Sequence, residues 1–207
     1  MKNIIILLIT GVAWLYSTQV IAAQHRVNSD MSLQTSIDNA QAGDTLLITP
    51  GHYQGNFIVN KALTLRGDAL SNQQIILDGN GVKDILRITA PNVTIDNLHL
   101  INWGDNLTDQ NAAIYVERQA SHPIIKNNWL KGRGMGIYLD KSHFGQVLNN
   151  KIQGDNTMRS ADRGNGIQLV MVNHAQVRGN EVWHTRDGIY IITSNENQLV
   201  DNYLHDL

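Results

Sequence analysis

Two dipeptides in the second half of the chain, Asp162-Arg163 and Arg186-Asp187, set opposite charges beside Gly-containing turns, with His184 two residues before the second pair. Such residues make corner hydrogen bonds and ion pairs, or they offer a charged surface to a partner. A second set, Met171, His174 and Glu196, combines thioether, imidazole and carboxylate donors of the kind that bind a soft or borderline metal ion. Met31, Met135 and Met158, and eight His in all, add to the supply without a diagnostic spacing. Glycoside chemistry needs two carboxylates across one groove, and Glu117, Asp140, Asp162 and Asp187 are available for it. A lyase would draw on Asp155, Asp162 and Arg186 for a cation and a base. Neither set forms an acidic cluster on successive units, and Trp103, Trp129 and Trp183 are spaced irregularly, which reads as core or edge packing rather than a sugar-stacking row. Gly132-Arg133-Gly134-Met135-Gly136 is a turn and not a nucleotide loop, because Ile137-Tyr138-Leu139 continues as a strand and supplies no helix N-terminus. With no Cys, thiolate ligands, disulfides and a cysteine nucleophile are all excluded.

The elements that must hold these residues repeat. Gly136-Ile137-Tyr138-Leu139, Gly166-Ile167-Gln168-Leu169 and Gly188-Ile189-Tyr190-Ile191 each lead to a turn containing Asn150, Asn180 or Asn202, and an earlier copy leads to Asn128. The steps between these Asn are 22, 30 and 22 residues, so one copy carries an insertion near 156–162. A unit this short cannot bury its own apolar face and must stack on its neighbours. Within a unit, short runs of alternating apolar residues are separated by Gly and Asn, with no helical spacing. The sequence thus predicts an all-β fold, a right-handed parallel β-helix of pectate-lyase-like type with about 22 residues per regular coil. Coils ~4.8 Å apart place equivalent side chains in columns. Asn suits such a column because its amide donates and accepts, and because it tolerates a left-handed corner. Asn128, Asn150, Asn180 and Asn202, with Gly136, Gly166 and Gly188, are therefore read as structural. Aligned on these glycines, His143, Asn173 and Asn195 form one column and Phe144, His174 and Glu196 the next. Asp187 falls on Asn165 and Arg163 on Thr185. Met171 and His174, three apart, would point to opposite faces of a strand.

Leu33, Ile37 and Ala40 follow a helical spacing and predict a short amphipathic helix capping the first coil, in a chain organised from about Asn28 onward. Ahead of it lies a leader: Lys2, an apolar run from Ile4 to Tyr16, and small residues at Val20-Ile21-Ala22-Ala23 for cleavage near Ala22 or Ala23. The expected organisation is a signal peptide over 1–23 and a β-helix domain over 24–207, exported. A formal charge of −2 with no basic cluster argues against a nucleic-acid partner.

Several blocks carry a resemblance. Ile48-Thr49-Pro50-Gly51-His52-Tyr53 with Leu63-Thr64-Leu65-Arg66-Gly67, Gly104-Asp105-Asn106-Leu107-Thr108-Asp109 with Val116-Glu117-Arg118-Gln119-Ala120, Asp162-Arg163-Gly164-Asn165-Gly166-Ile167, and His184-Thr185-Arg186-Asp187-Gly188-Ile189-Tyr190 resemble the NosD family over residues 44–207. These are periplasmic β-helix proteins for maturation of nitrous oxide reductase. The resemblance implies a non-enzymatic factor with no catalytic residues, which works with an ABC transporter of ATPase and permease in assembling the copper-sulfur catalytic site of that enzyme by copper or sulfur delivery. The implied partners are the transporter, the reductase and a copper chaperone lipoprotein, with attachment to the inner membrane only through the permease. A transient copper ion is the implied cargo, with Met171, His174 and Glu196 its candidate ligands. Asp162, Arg163, His184, Arg186 and Asp187 become a docking surface. Family members are longer, so the domain is expected to be incomplete at its C-terminal end. The alternative is an exported carbohydrate-active β-helix, a polysaccharide lyase, hydrolase or epimerase.

Overall fold

A computed structural model describes residues 22–68 and 74–207; of the expected leader, only Ala22 and Ala23 fall among them. Three parallel sheets wind around one apolar core, with eight, six and seven strands among the described residues. Each regular coil contributes one strand to each sheet. In one coil these are Ile124–Lys126 in the first sheet, Trp129–Lys131 in the third and Met135–Asp140 in the second. Pairing is in register from coil to coil, so Leu65, Ile95, Ile125, Val147 and Val177 line up as one interior column. Leu77, Leu100, Leu130, Ile152 and Val182 form another. All ten are essentially inaccessible to solvent. At roughly 1.5–3 kcal/mol per buried aliphatic side chain, these columns dominate the stability of the stack.

The predicted helix spans Leu33–Asn39, is N-capped by Ser32, whose side chain accepts from the Thr35 N–H, and buries Leu33 and Ile37 over the end of the core. The chain enters the solenoid earlier than the sequence suggested. Gln24–Val27 pairs with Thr45–Ile48 and forms the outermost strand of the first sheet. The Pro50-Gly51 turn likewise runs straight into a strand, Gly51–Gln54.

The corner between the first and third sheets is held by an amide ladder. Asn150 accepts from the Asn128 backbone N–H and side chain at 3.1 and 3.0 Å, and gives its own amide hydrogens to Ile125 O and Asn180 Oδ1. Asn180 and Asn202 repeat the pattern. The left-handed conformation belongs to the residue before each ladder Asn: Asn127, Asn149, Gly179 and Asp201 have φ between 53° and 66°. Gly136 and Gly166 serve a different need, close approach. A Cβ on Gly166 would strike Val182 Cγ1 and the Gly188 carbonyl, and one on Gly136 the Gly166 carbonyl.

Three coils advance by thirty residues, Leu65 to Ile95 being the earliest, and the other two carry long insertions between the third and second sheets. Thirty residues separate Leu98 from its ladder partner Asn128, and thirty separate Asn150 from Asn180. The sequence revealed the second insertion and not the first, because the first coil starts at Leu98, where the Asn marker is missing. Both insertions, residues 102–111 and 154–166, leave the third sheet and re-enter at the second.

Candidate functional site

The two insertions wall a recess of about 250 Å³ on the outer face of the second sheet, lined by Leu107, Met135, Arg163, Gly164, Asn165, Gln168, Arg186, Asp187 and Tyr190. Gln168 and Tyr190 of the lining belong to a longer column set by strand register. Arg87, Tyr115, Tyr138, Gln168 and Tyr190 are consecutive members of one outward column. Tyr115 and Tyr138 stack at 4.8 Å, and Arg87 lies over the Tyr115 ring at 4.4 Å. Burial pushes both phenols above their ordinary range, so they are neutral packing groups. Arg87 is fixed by Glu117 and Asp84, each at 2.6 Å. Burial raises the Asp84 carboxyl, opposed by the Ala112 N–H and Arg87. With Leu107 and Val170, these tyrosines, Ala112 and Met135 make a small apolar cluster outside the main core.

The rim is polar. Asn165 gives its amide to Gln168 Oε1 at 2.7 Å, while its own buried Oδ1 has no protein partner. Arg163 is held in place by the Met158 carbonyl, at 3.0 and 2.8 Å from Nε and Nη2. Arg186 is exposed and Asp187 half-buried, and no side-chain hydrogen bond or ion pair is found for either among the described residues. The recess therefore offers two guanidinium groups, one carboxylate and one acceptor unfilled among the described residues, beside the apolar Leu107 and Met135. That set suits a protein surface carrying both a donor and an anion better than it suits bond-breaking chemistry. Backbones close tightly behind it: a Cβ on Gly164 would meet the Gly134 carbonyl and the Met135 N–H.

Of the five residues singled out for docking, Arg163, Arg186 and Asp187 come together here. Asp162 does not line the recess; it pairs with Arg159 at 2.7 and 3.0 Å in the exposed 3₁₀ turn Ser160–Asp162. His184 sits at the end of the third-sheet strand Glu181–Trp183, where its backbone N–H donates to Asp206 O. Of the plainer reading of the two dipeptides, corner hydrogen bonds and ion pairs that hold the Gly turns, Arg186 and Asp187 show the backbone hydrogen bonds, Arg186 N–H to Gly164 O and Gly166 N–H to Asp187 O, and no ion pair among the described residues. Leu107, Met135, Asn165, Gln168 and Tyr190 went unrecognised as lining. The signal for Leu107 and Asn165 lay in the Gly104–Asp109 and Asp162–Ile167 blocks themselves.

The proposed metal donors are distributed otherwise. His174 and Glu196 are neighbours, Nδ1 to Oε2 at 3.0 Å, and the His174 ring stacks on Phe144 at 4.9 Å. Met171 and His174 flank one turn rather than sharing a strand, both left-handed with φ of 53° and 59°. The alternation argument for opposite faces therefore does not apply to them. No group of three His, Asp or Glu among the described residues is arranged to hold a metal ion. His174 and Glu196 supply two adjacent donors.

The tryptophans also differ from expectation. Trp103 is core, but Trp129 is 40% exposed and stacks on His99 at 4.4 Å on the outer face of the third sheet. Trp183 lies outward on the same sheet, against His205. Beside them runs a groove of about 560 Å³ whose lining includes Trp103, Lys131, Arg133, Gln153 and Asp155. Bonds from Thr157 and Arg133 hold Asp155 below the usual carboxylate range, so it is ionised and no general acid at neutral pH.

A family model described as the right handed beta helix region matches residues 73–207. The "Probable ABC transporter binding protein NosD" of Pseudomonas aeruginosa is 47% identical over 141 residues, covering 68% of this chain and 32% of that protein. The protein of the same name from Stutzerimonas stutzeri is 38% identical over 138 residues, covering 67% and 31%. This chain thus spans about a third of the length of these curated relatives. Among solved structures, a rhamnogalacturonan lyase aligns with a TM-score of 0.66 at 16% identity, covering 80% of this chain and 50% of the other. A pectate lyase aligns with a TM-score of 0.64 at 12% identity, covering 85% and 54%. Likeness at such identities establishes the architecture only. The chain belongs to the right-handed β-helix family, and its homologues of 47% and 38% identity in that family are NosD proteins.

Proposed function

We propose that this chain is an exported, non-enzymatic accessory protein that works with an ABC transporter, ATPase and permease, in assembling the copper-sulfur catalytic site of nitrous oxide reductase. The observation that carries this reading is the 47% identity to a relative named as an ABC transporter binding protein. The recess is its docking surface: Arg186 and Asp187, without ion-pair partners among the described residues, stand beside the apolar Leu107 and Met135. Copper, passed on by a chaperone lipoprotein, is cargo in this scheme, and His174, Glu196 and Met171 are transfer-type donors at most. The deciding experiment deletes the gene and restores it, then reads the optical spectrum and copper content of the purified reductase. Electron-transfer copper present with the catalytic cluster missing until complementation supports the role. A cluster intact in the deletion strain refutes it.

The second reading, a carbohydrate-active β-helix, is favoured by the third-sheet groove and by the outward Trp129 and Trp183. Sugar release from acidic polysaccharides that is lost on Trp129→Ala would decide for it.

A further inference from the structure

Asp44 is 3% exposed, yet its carboxylate is almost fully engaged. Oδ2 accepts from the Gln41 N–H at 2.8 Å and contacts His25 Nε2 at 3.0 Å; Oδ1 accepts from the backbone nitrogen of Ala23 at 2.8 Å. Ala23 is tied in by its carbonyl as well, which accepts from the Thr45 N–H at 2.8 Å. The residue assigned on sequence to the end of the leader is thus bonded into the solenoid. Cleavage sites of secreted proteins need small residues at the last and third-last leader positions. A cut after Ala22 places Ala22 and Val20 there; a cut after Ala23 places the larger Ile21 at the third-last position and removes both Ala23 bonds.

We propose that the leader is removed between Ala22 and Ala23, and that the new α-ammonium of Ala23 docks on the Asp44 carboxylate to close the first coil. The inference rests on the export reading. The step is hydrolysis of one peptide bond by leader peptidase: water gives its oxygen to the Ala22 carbonyl carbon, the leader leaves with a C-terminal carboxylate, and both water protons end on the Ala23 nitrogen as it becomes an ammonium. In the precursor the same position holds a neutral amide, so a bond charged only on its acceptor becomes an ion pair after processing. The His25 imidazole on the outermost strand also contacts Asp44. It is half exposed, and the buried carboxylate accepts the ammonium alongside it.

The test expresses the full chain with its leader and takes the intact mass of the protein from the periplasmic fraction. A first residue of Ala23 supports the inference. Gln24 as the first residue, or a leader retained on the periplasmic protein, overturns it and leaves export standing, whereas a chain absent from the periplasmic fraction overturns the export reading itself. Docking is then tested with a form carrying Gly-Ser ahead of Ala23, which keeps the N–H but moves the charge away. Its melting midpoint should lie lower by roughly 2–4 °C, and Asp44→Asn should erase the difference between the two forms. Equal midpoints with Asp44 intact refute docking. If Asp44→Asn does not fold, titration of the Ala23 amine in the processed protein decides: a midpoint clearly above the ordinary ~7.7–8.0 supports the pair, and one at or below it refutes the pair.

Discussion

At the scale of single residues, the chain separates groups that hold the stack from groups that face outward without a partner. Asn150 is fully buried and each half of its amide serves a neighbouring coil. Asn150→Ala leaves the Asn128 donors and the Ile125 carbonyl unpaired, at about 1–3 kcal/mol per buried group. We expect a loss of about 3 kcal/mol in a denaturant titration, and a loss under about 0.5 kcal/mol would contradict the ladder's role. Arg186 and Asp187 should behave in the opposite way. Alanine at either position changes stability by no more than about 0.5 kcal/mol, as for surface residues outside any network. As centres of a docking surface they should cost about 2 kcal/mol of partner affinity, roughly thirtyfold. The check is reductase maturation in the complemented strain beside a melting curve. Loss of both together would mark the pair as structural. The sequence alone could nominate these residues by type, but not show that Asp162 is paired with Arg159 while Asp187 has no ion-pair partner among the described residues.

At the scale of elements, the outer face of each sheet is decided by which columns stand side by side. His99 is covered by Trp129, and burial, assisted by Lys131, holds its imidazole below the ordinary value. Both ring nitrogens are buried without partners, so the folded state prefers the neutral ring. Because the folded pKa lies below the unfolded one, the contribution is fully present above about pH 6.5 and is lost as pH falls from there toward the folded value. Stability measured from pH 7 to 5 should therefore decline, and His99→Phe, which keeps the stack, should flatten that slope. Carboxylates such as Asp78, held low against burial by Asn80, Asn102 and His52, give way only in a separate window below about pH 4. An unchanged slope in His99→Phe would place the titration elsewhere. The insertions teach the same lesson. Residues 102–111 and 154–166 are far apart in the chain, yet their coils are separated by only one regular coil, and so they share a wall of one recess.

At the scale of the whole molecule, a solenoid distributes stability coil by coil, since each repeat contacts only its neighbours. The interior columns that are inaccessible in the middle surface in the last coil, where Ile191, Leu199 and Leu204 are 40–42% exposed. Amide exchange in this 207-residue chain should therefore be slowest around Ile124–Lys126 and Trp129–Lys131 and fastest in Gln198–Val200 and Tyr203–His205. Uniform protection would mean that the stack opens as one unit. The sequence by itself determined the repeat, the parallel β-helix, the capping helix and the interior columns, because side-chain alternation and a 22-residue step leave few ways to bury so many Ile, Leu and Val. It did not show the first strand, the earlier insertion or the outward tryptophans. Gln24–Val27 carries only one buried residue, and Leu98 breaks the Asn marker that would have revealed a long coil. Which charges remain unpaired, and which loops meet, was decided only by the tertiary structure. Coil register brings residues 107, 135, 163 and 186 together across a sequence separation that no local pattern records.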